Sequence, residues 1–394
     1  MKIVIFSDNF YPELSGITDS LVLFGDELAS RGHNILFVAP KYSSKDYART
    51  GVPVGERMTS KKISVKRVRS FIYKSSPTGQ GRIVFPHLSS LNAVRKFKPD
   101  IIHTNSPFGT GMEALFVSRL LNIPMVGTNH TPPSEFMAYS PINTKWFEVF
   151  TNRFFSWYYN RCLFVTSASD SLLKEMTTFG LKVKHRAIPN PINLNNFGPV
   201  QNSEEKLELK KKFKLSPNTI LYAGRLAEEK RVDVIVRAVA RLKEIIPDIS
   251  LAITGHGVAE GALKKLAQEL GIENRVSFFG FVPDETYPLI YKACDIFSIM
   301  STAETQSLSL MQAMATGIPV VVADARALPE YVTSESGYVV PVGDDKTLAD
   351  RFEQILTDTS LREKLGKGGQ ERVKAFSPAL IIAEWEVVYR NAIK

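Results

Sequence analysis

The stretch DIFSIMSTAETQSLSLMQAMATGIPVVVAD, Asp295 to Asp324, decides the fold. The apolar run Ile296, Phe297, Ile299, Met300 predicts a short buried strand, and a polar turn leaves it. A helix follows from about Ser307 to Thr316, with Leu308, Met311 and Ala315 at helical spacing. Gly317 stands where a C-capping glycine belongs, Pro319 forbids continuation, and Val320, Val321 and Val322 make the next strand. Glu304 stands just before the helix, and Gln312 is the next side chain able to share its site. At about 1.5 Å of rise per residue, groups so placed straddle roughly 10 Å, the span from a sugar to a ribose across a diphosphate. The helix N-terminus aims its N–H groups and positive dipole end into that gap, which suits an anion. The stretch reads as a nucleotide-diphosphate-sugar site with Glu304 on the sugar. A capping acid at a buried helix is the plainer alternative.

The same rhythm runs outward on both sides. Lys2 to Ser7 is a buried strand. Ser15-Gly16-Ile17 opens a helix with Leu21, Phe24 and Leu28 on one face, and Asn34 to Ala39 is a second strand. This β-α-β unit implies a parallel sheet. Gly16, lacking a side chain, would let a phosphate approach the helix start, although a simple turn glycine reads the same way. Lys41 to Pro86 is irregular apart from a short strand at Ser64 to Val68. Val94 to Pro99 leads into a strand at Asp100 to His103. A helix at Gly111 to Leu121 and a strand at Pro124 to Thr128 come next. His103 and His130 stand at strand ends, where ligands bind in parallel sheets, and Pro132 and Pro133 hold the second loop open. Trp146 to Phe164 holds nine aromatic residues, with Phe147, Phe150, Phe154 and Trp157/Tyr158 at helical spacing. It reads as a core helix, with an interfacial membrane helix as the alternative.

Asn190 to Pro217 resembles a connection between domains, and the β-α rhythm then restarts. Strands at Thr219 to Ala223, Ser250 to Thr254 and Val276 to Phe279 run into glycine-bearing loops, and a final helix starts at Pro378. Two domains are expected at this length.

Composition is ordinary for a globular chain, 44% hydrophobic and 23% charged. No apolar run is long enough to span a membrane. The N-terminus reads as a strand rather than a signal peptide. Cys162 and Cys294 read as buried thiols of a reducing, cytoplasmic compartment. The net charge of +9 is uneven: 24 basic and 13 acidic residues fall in the first 190 positions, and 25 and 27 in the rest. Between Lys41 and Lys98 there are 14 basic residues and two acidic ones. That block favours an anionic partner, although a solvated surface loop has the same composition.

Arg225 and Lys230 follow a strand directly, after Gly224. Two fixed cations there would neutralise a diphosphate and the charge that builds as it leaves. GRLAEEK at Gly224–Lys230, the Glu304 stretch, His130 after a strand and the Gly16 loop together resemble the family 4 retaining glycosyltransferases of GT-B fold. The closest likeness is to diacylglycerol glucosyltransferases and phosphatidylinositol mannosyltransferases. The resemblance covers nearly the whole chain. It implies two doubly wound α/β Rossmann-like domains facing a central cleft. The acceptor-side domain would be residues 1–190 with 377–394, and the donor domain 191–376. It further implies Arg225 and Lys230 on the donor diphosphate with Gly16 approaching it, Glu304 and His130 on the sugar, and the base near Phe281 and Val282. Backbone amides near Gln306, Ser307 and Leu308 would support sugar and phosphate, and Gly255 would line the donor site. The family places a second Glu eight residues after the first, on the ribose. Here it is Gln312, which keeps one carbonyl acceptor and loses the charge. Ser15 stands where many relatives have Gly.

No DxD triplet and no metal-ligand spacing are present, so no metal or cofactor is expected beyond a UDP- or GDP-linked sugar as co-substrate. The resemblance implies a same-face, retaining transfer in which the leaving phosphate helps deprotonate the acceptor. A membrane lipid on an anionic surface is the leading acceptor, with the enzyme peripheral to the membrane, and a soluble sugar or polysaccharide intermediate is second. A nicotinamide dehydrogenase is weighed on Gly255-His-Gly-Val-Ala-Glu-Gly261. Its third glycine is one residue late, and no acid near position 277 is placed to hold a ribose. A non-catalytic nucleotide-sugar binder is the remaining rival. No nucleic-acid partner is expected from diffuse basic charge alone.

Overall fold

A computed structural model describes residues 1–13, 15–50, 52–58, 60–73, 80–132 and 144–394. The chain divides into two compact units, Met1–Ile192 with Pro378–Lys394, and Asn193–Ser377.

The first unit holds β1 (Lys2–Phe6), β2 (Asn34–Pro40), β3 (Ile63–Val68), β4 (Phe71–Ile72), β5 (Arg82–Ile83), β6 (Ile101–Thr104), β7 (Met125–Asn129), β8 (Phe164–Ser167) and β9 (His185–Ala187). Seven of them form a sheet in the order β3-β2-β1-β6-β7-β8-β9, every pairing parallel. β4 and β5 pair by themselves as an antiparallel hairpin. The central strands are apolar on both sides because both faces are covered, whereas the edge strands β3 and β9 carry Lys66, Arg67, His185 and Arg186. On one face Ile3, Ile5 and Phe37 pack with Leu21, Phe24 and Leu28 of the helix Gly16–Ser30. Ile381, Ile382, Trp385 and Tyr389 of the last helix, Pro378–Ile393, join the same cluster. On the other face Val4, Phe6 and Val38 pack with Phe155, Tyr158 and Tyr159. Ser15 caps the helix Gly16–Ser30, its side chain accepting from the Thr18 amide, which gives the serine a use a glycine would lack.

The second unit holds β10 (Asn218–Ala223), β11 (Ile249–Thr254), β12 (Val276–Gly280), β13 (Ile296–Ile299), β14 (Val320–Ala323) and β15 (Gly337–Val340). They form a parallel sheet in the order β12-β11-β10-β13-β14-β15. The helix after β13 runs Leu308–Ala315, with Ser307 as N-cap and Gly317 at φ 73° just past its end.

Three expectations change. The Lys41–Pro86 region carries, besides β3, a helix at Ser44–Thr50 and the β4–β5 hairpin. Val94 lies inside a helix, Leu91–Phe97, that precedes β6. The aromatic helix Lys145–Tyr159 is core on one side only: Trp146 and Phe150 remain 65% and 58% exposed. The sheet covers a single stripe of a helix, and this one has aromatic residues on both. Among the described residues no helix is long and apolar enough to cross a membrane. Cys162 and Cys294 are free thiols, both buried.

Candidate functional site

In the second sheet the order of connection reverses between β10 and β13, and both strands send their loops off the same edge. Such a switch point is where an open α/β sheet leaves a crevice for ligands. The β10 loop carries Arg225 and Lys230, and the β13 loop carries Glu304. Residues far apart in sequence therefore meet: Lys230 Nζ donates to Glu304 Oε1 at 2.6 Å. Both side chains are mostly buried, 16% and 12% exposed. The loops are also joined by their backbones, the Thr302 amide donating to the Glu229 carbonyl at 2.9 Å. Arg225 pairs with Glu229 at 2.7 Å. Each of the two cations thus also carries one carboxylate, a pairing the sequence did not announce. Beneath them lies the Tyr222 phenol, whose hydroxyl donates to the Arg225 carbonyl at 2.8 Å. Burial, then the Glu304 charge, pushes this phenol well above the usual tyrosine range, so it serves as a neutral donor.

The β11 loop braces the β10 loop from the side. The Leu226 amide donates to the His256 carbonyl at 2.9 Å, and the Ala259 amide to the Leu226 carbonyl at 3.1 Å. Glycine is required for this contact. A Cβ at Gly255, which has φ 106°, would sit 2.1 Å from the Gly224 carbonyl oxygen, and one at Gly257 would sit 1.9 Å from that of Leu226. Phe281 and Val282 follow β12. Phe281 is exposed, and its amide donates to His256 Nε2 at 2.8 Å, so the imidazole proton resides on Nδ1. His256 holds the Phe281 loop and was not singled out from sequence.

Ser307 Oγ accepts from the Leu310 amide, which leaves the amides of Leu308 and its neighbours at the open end of the helix, with Gln306 just before it. Gln312 lies one turn beyond Leu308. Its Oε1 accepts from the Tyr291 hydroxyl at 3.2 Å, and Tyr291 in turn meets the Tyr287 hydroxyl at 3.0 Å. Since Tyr291 donates to Gln312, Tyr287 must donate to Tyr291. This ladder orients the carboxamide, and no sequence pattern announced it.

His130 and Gly16 belong to the first unit. Gly16 is the first, exposed residue of its helix, at the end of the loop that follows β1. His130 follows β7 and is buried, its Nε2 bonded to Asn105 Oδ1 at 2.8 Å. Burial lowers it to about 4, so it is neutral near pH 7. Pro133 lies outside the described residues. His103 sits inside β6 between Tyr389 Oη and Thr128 Oγ1, each at 2.8 Å, under the Trp385 ring. Burial lowers it to about 3, and every polar atom of its ring is engaged in the core. Both histidines line one small pocket with Ser20, Phe24 and Asn105. Asp8, unnoticed in the sequence, accepts from the Thr110 amide at 2.8 Å and pins the β1 loop to the helix that follows the neighbouring strand β6, Gly109–Leu121.

Comparison with known proteins matches residues 14–196 to Glycosyltransferase Family 4 and residues 203–372 to Glycosyl transferases group 1. An alpha-monoglucosyldiacylglycerol synthase of Streptococcus pneumoniae is 26% identical over 325 residues, 82% of this chain and 70% of that protein. One of Acholeplasma laidlawii is 22% identical over 401 residues, covering 100% and 98%. Among solved structures, Anabaena Alr3699/HepE in complex with UDP superposes with a TM-score of 0.78 at 19% identity, over 99% of this chain and 100% of that one. The strand orders, the glycine-braced β10 loop and these matches agree, and the chain belongs to the family 4 glycosyltransferases of GT-B fold.

Proposed function

We propose that this glycosyltransferase moves a hexose, with retention, from a UDP- or GDP-linked sugar to a membrane lipid of the diacylglycerol type, without a metal. The observation that carries the reading is the Lys230–Glu304 contact at the switch point of the second sheet, beside Arg225. It sets a cation for phosphate and a carboxylate for sugar hydroxyls within one hydrogen bond of each other. In the transfer, the acceptor oxygen bonds to the sugar C1 as the bond from C1 to the diphosphate oxygen breaks on the same face. The acceptor proton passes to the departing diphosphate. Arg225, Lys230 and the N-terminus of the helix Leu308–Ala315 take up the charge of the leaving group. Glu304 orients the hexose. The Leu308 end receives phosphate, Gln312 faces the ribose, and Phe281 and Val282 face the base. The lipid acceptor is supported by the names of the two glucosyldiacylglycerol synthases and by the basic Lys41–Lys98 block.

Thermal shift over UDP-, GDP- and ADP-sugars identifies the donor, because a ligand that binds only the folded state raises the melting temperature. Turnover in EDTA with diacylglycerol vesicles, followed by NMR of the product anomer, tests the rest. Loss of activity in EDTA, or an inverted product, refutes the corresponding part.

A further inference from the structure

The helix Lys145–Tyr159 keeps a stripe outside the core at i, i+3, i+4, i+7 and i+11: Trp146, Val149, Phe150, Arg153 and Trp157, all exposed. The Arg161 guanidinium lies 3.7 Å over the Trp157 ring, and Leu163 beyond it is 54% exposed. A second apolar patch stands on the β4–β5 hairpin, where Phe71, Ile72, Ile83 and Phe85 are exposed and Arg69 lies over the Phe71 ring. Val84, next to that patch, is buried in the same core cluster as Phe155 of the aromatic helix. Both patches therefore lie over the same face of the first unit's sheet. Their charged neighbours are chiefly basic: the hairpin falls in the segment with 14 basic and two acidic residues, and the helix stripe has Lys145, Arg153 and Arg161 around it.

Exposed rings ringed by guanidinium and ammonium groups match the boundary of an anionic bilayer. Aromatic bodies enter at headgroup depth there, and cations meet lipid phosphate. We propose that this face, the outer stripe of Lys145–Tyr159 together with the β4–β5 hairpin, is the surface by which the protein docks on anionic lipid. The inference rests on the lipid-acceptor reading above and assigns its location.

The chain carries its own reporter. Of its three tryptophans Trp385 is buried, so a change in emission on adding vesicles reports Trp146 and Trp157. Full-length protein is mixed with vesicles of phosphatidylcholine alone or with phosphatidylglycerol. Only the mixed vesicles should shift the emission to the blue, and brominated lipid should quench it. In sedimentation, W146S/F150S/W157S and F71S/F85S should each weaken binding about tenfold or more. Both variants should keep the wild-type melting temperature and full transfer to a short-chain acceptor in solution. Wild-type binding to anionic vesicles that both variants retain overturns the surface assignment. A dimer that the variants dissolve overturns it too, because the face would then join two copies. A wild type that ignores every vesicle yet glycosylates a dissolved acceptor refutes the lipid-surface reading itself.

Discussion

Lys230 and Glu304 hold each other, and this contact fixes the place of both side chains. On the proposed reading a donor diphosphate meets a second cation at Arg225, which pairs with the partly exposed Glu229. Arg225→Ala should lower kcat by roughly a hundredfold or more, by analogy with loss of an anion-stabilising donor. Near-normal turnover would remove Arg225 from the site. Gln312→Glu should keep or raise kcat/KM, because a carboxylate also accepts from Tyr291 while offering a second oxygen to the ribose. A large loss would show that the carboxamide is specifically required. Glu304 and Lys230 were legible because each follows a strand at a diagnostic spacing. Glu229 as the partner of Arg225, and Tyr291 as the partner of Gln312, were not. Those contacts depend on which strands become neighbours and how the loops turn, which spacing along the chain does not encode.

At the level of elements, the loop after β10 keeps its shape because the loop after β11 lies directly against it. Gly257→Ala puts a methyl group against the Leu226 carbonyl and should cost about 1–3 kcal/mol as overpacking. Thermal melts should show the loss, and the KM for the donor should rise because Arg225 neighbours the displaced residue. An unchanged melting temperature would mean the loops are not pressed together as described. The central strands of both sheets were readable from their apolar runs, since parallel strands covered on both faces contain little else. The Ser44–Thr50 helix was hidden by its polar composition. The aromatic helix was visible as a helix, but periodicity could not say that only one of its two ring-bearing stripes meets the sheet.

For the molecule as a whole, the neutral histidines set an acid limit. In the unfolded chain His103 and His130 take up protons as pH falls through about 6.5, whereas in the fold burial delays this to about 3 and about 4. Protons then favour the unfolded state, so stability present above pH 6.5 is lost progressively toward pH 4. Melting temperatures at pH 7.5 and pH 5 should differ in that sense, and a variant at His103 that still folds should flatten the difference. The last helix supplies Trp385 and Tyr389 to the first unit, where they cover Phe24 and His103. During translation the N-terminal half therefore leaves the ribosome missing one wall, and the whole second unit is made before that wall arrives. A fragment ending at Ile192 should bind a dye such as ANS strongly and aggregate, and a synthetic peptide spanning 378–394 should reverse both.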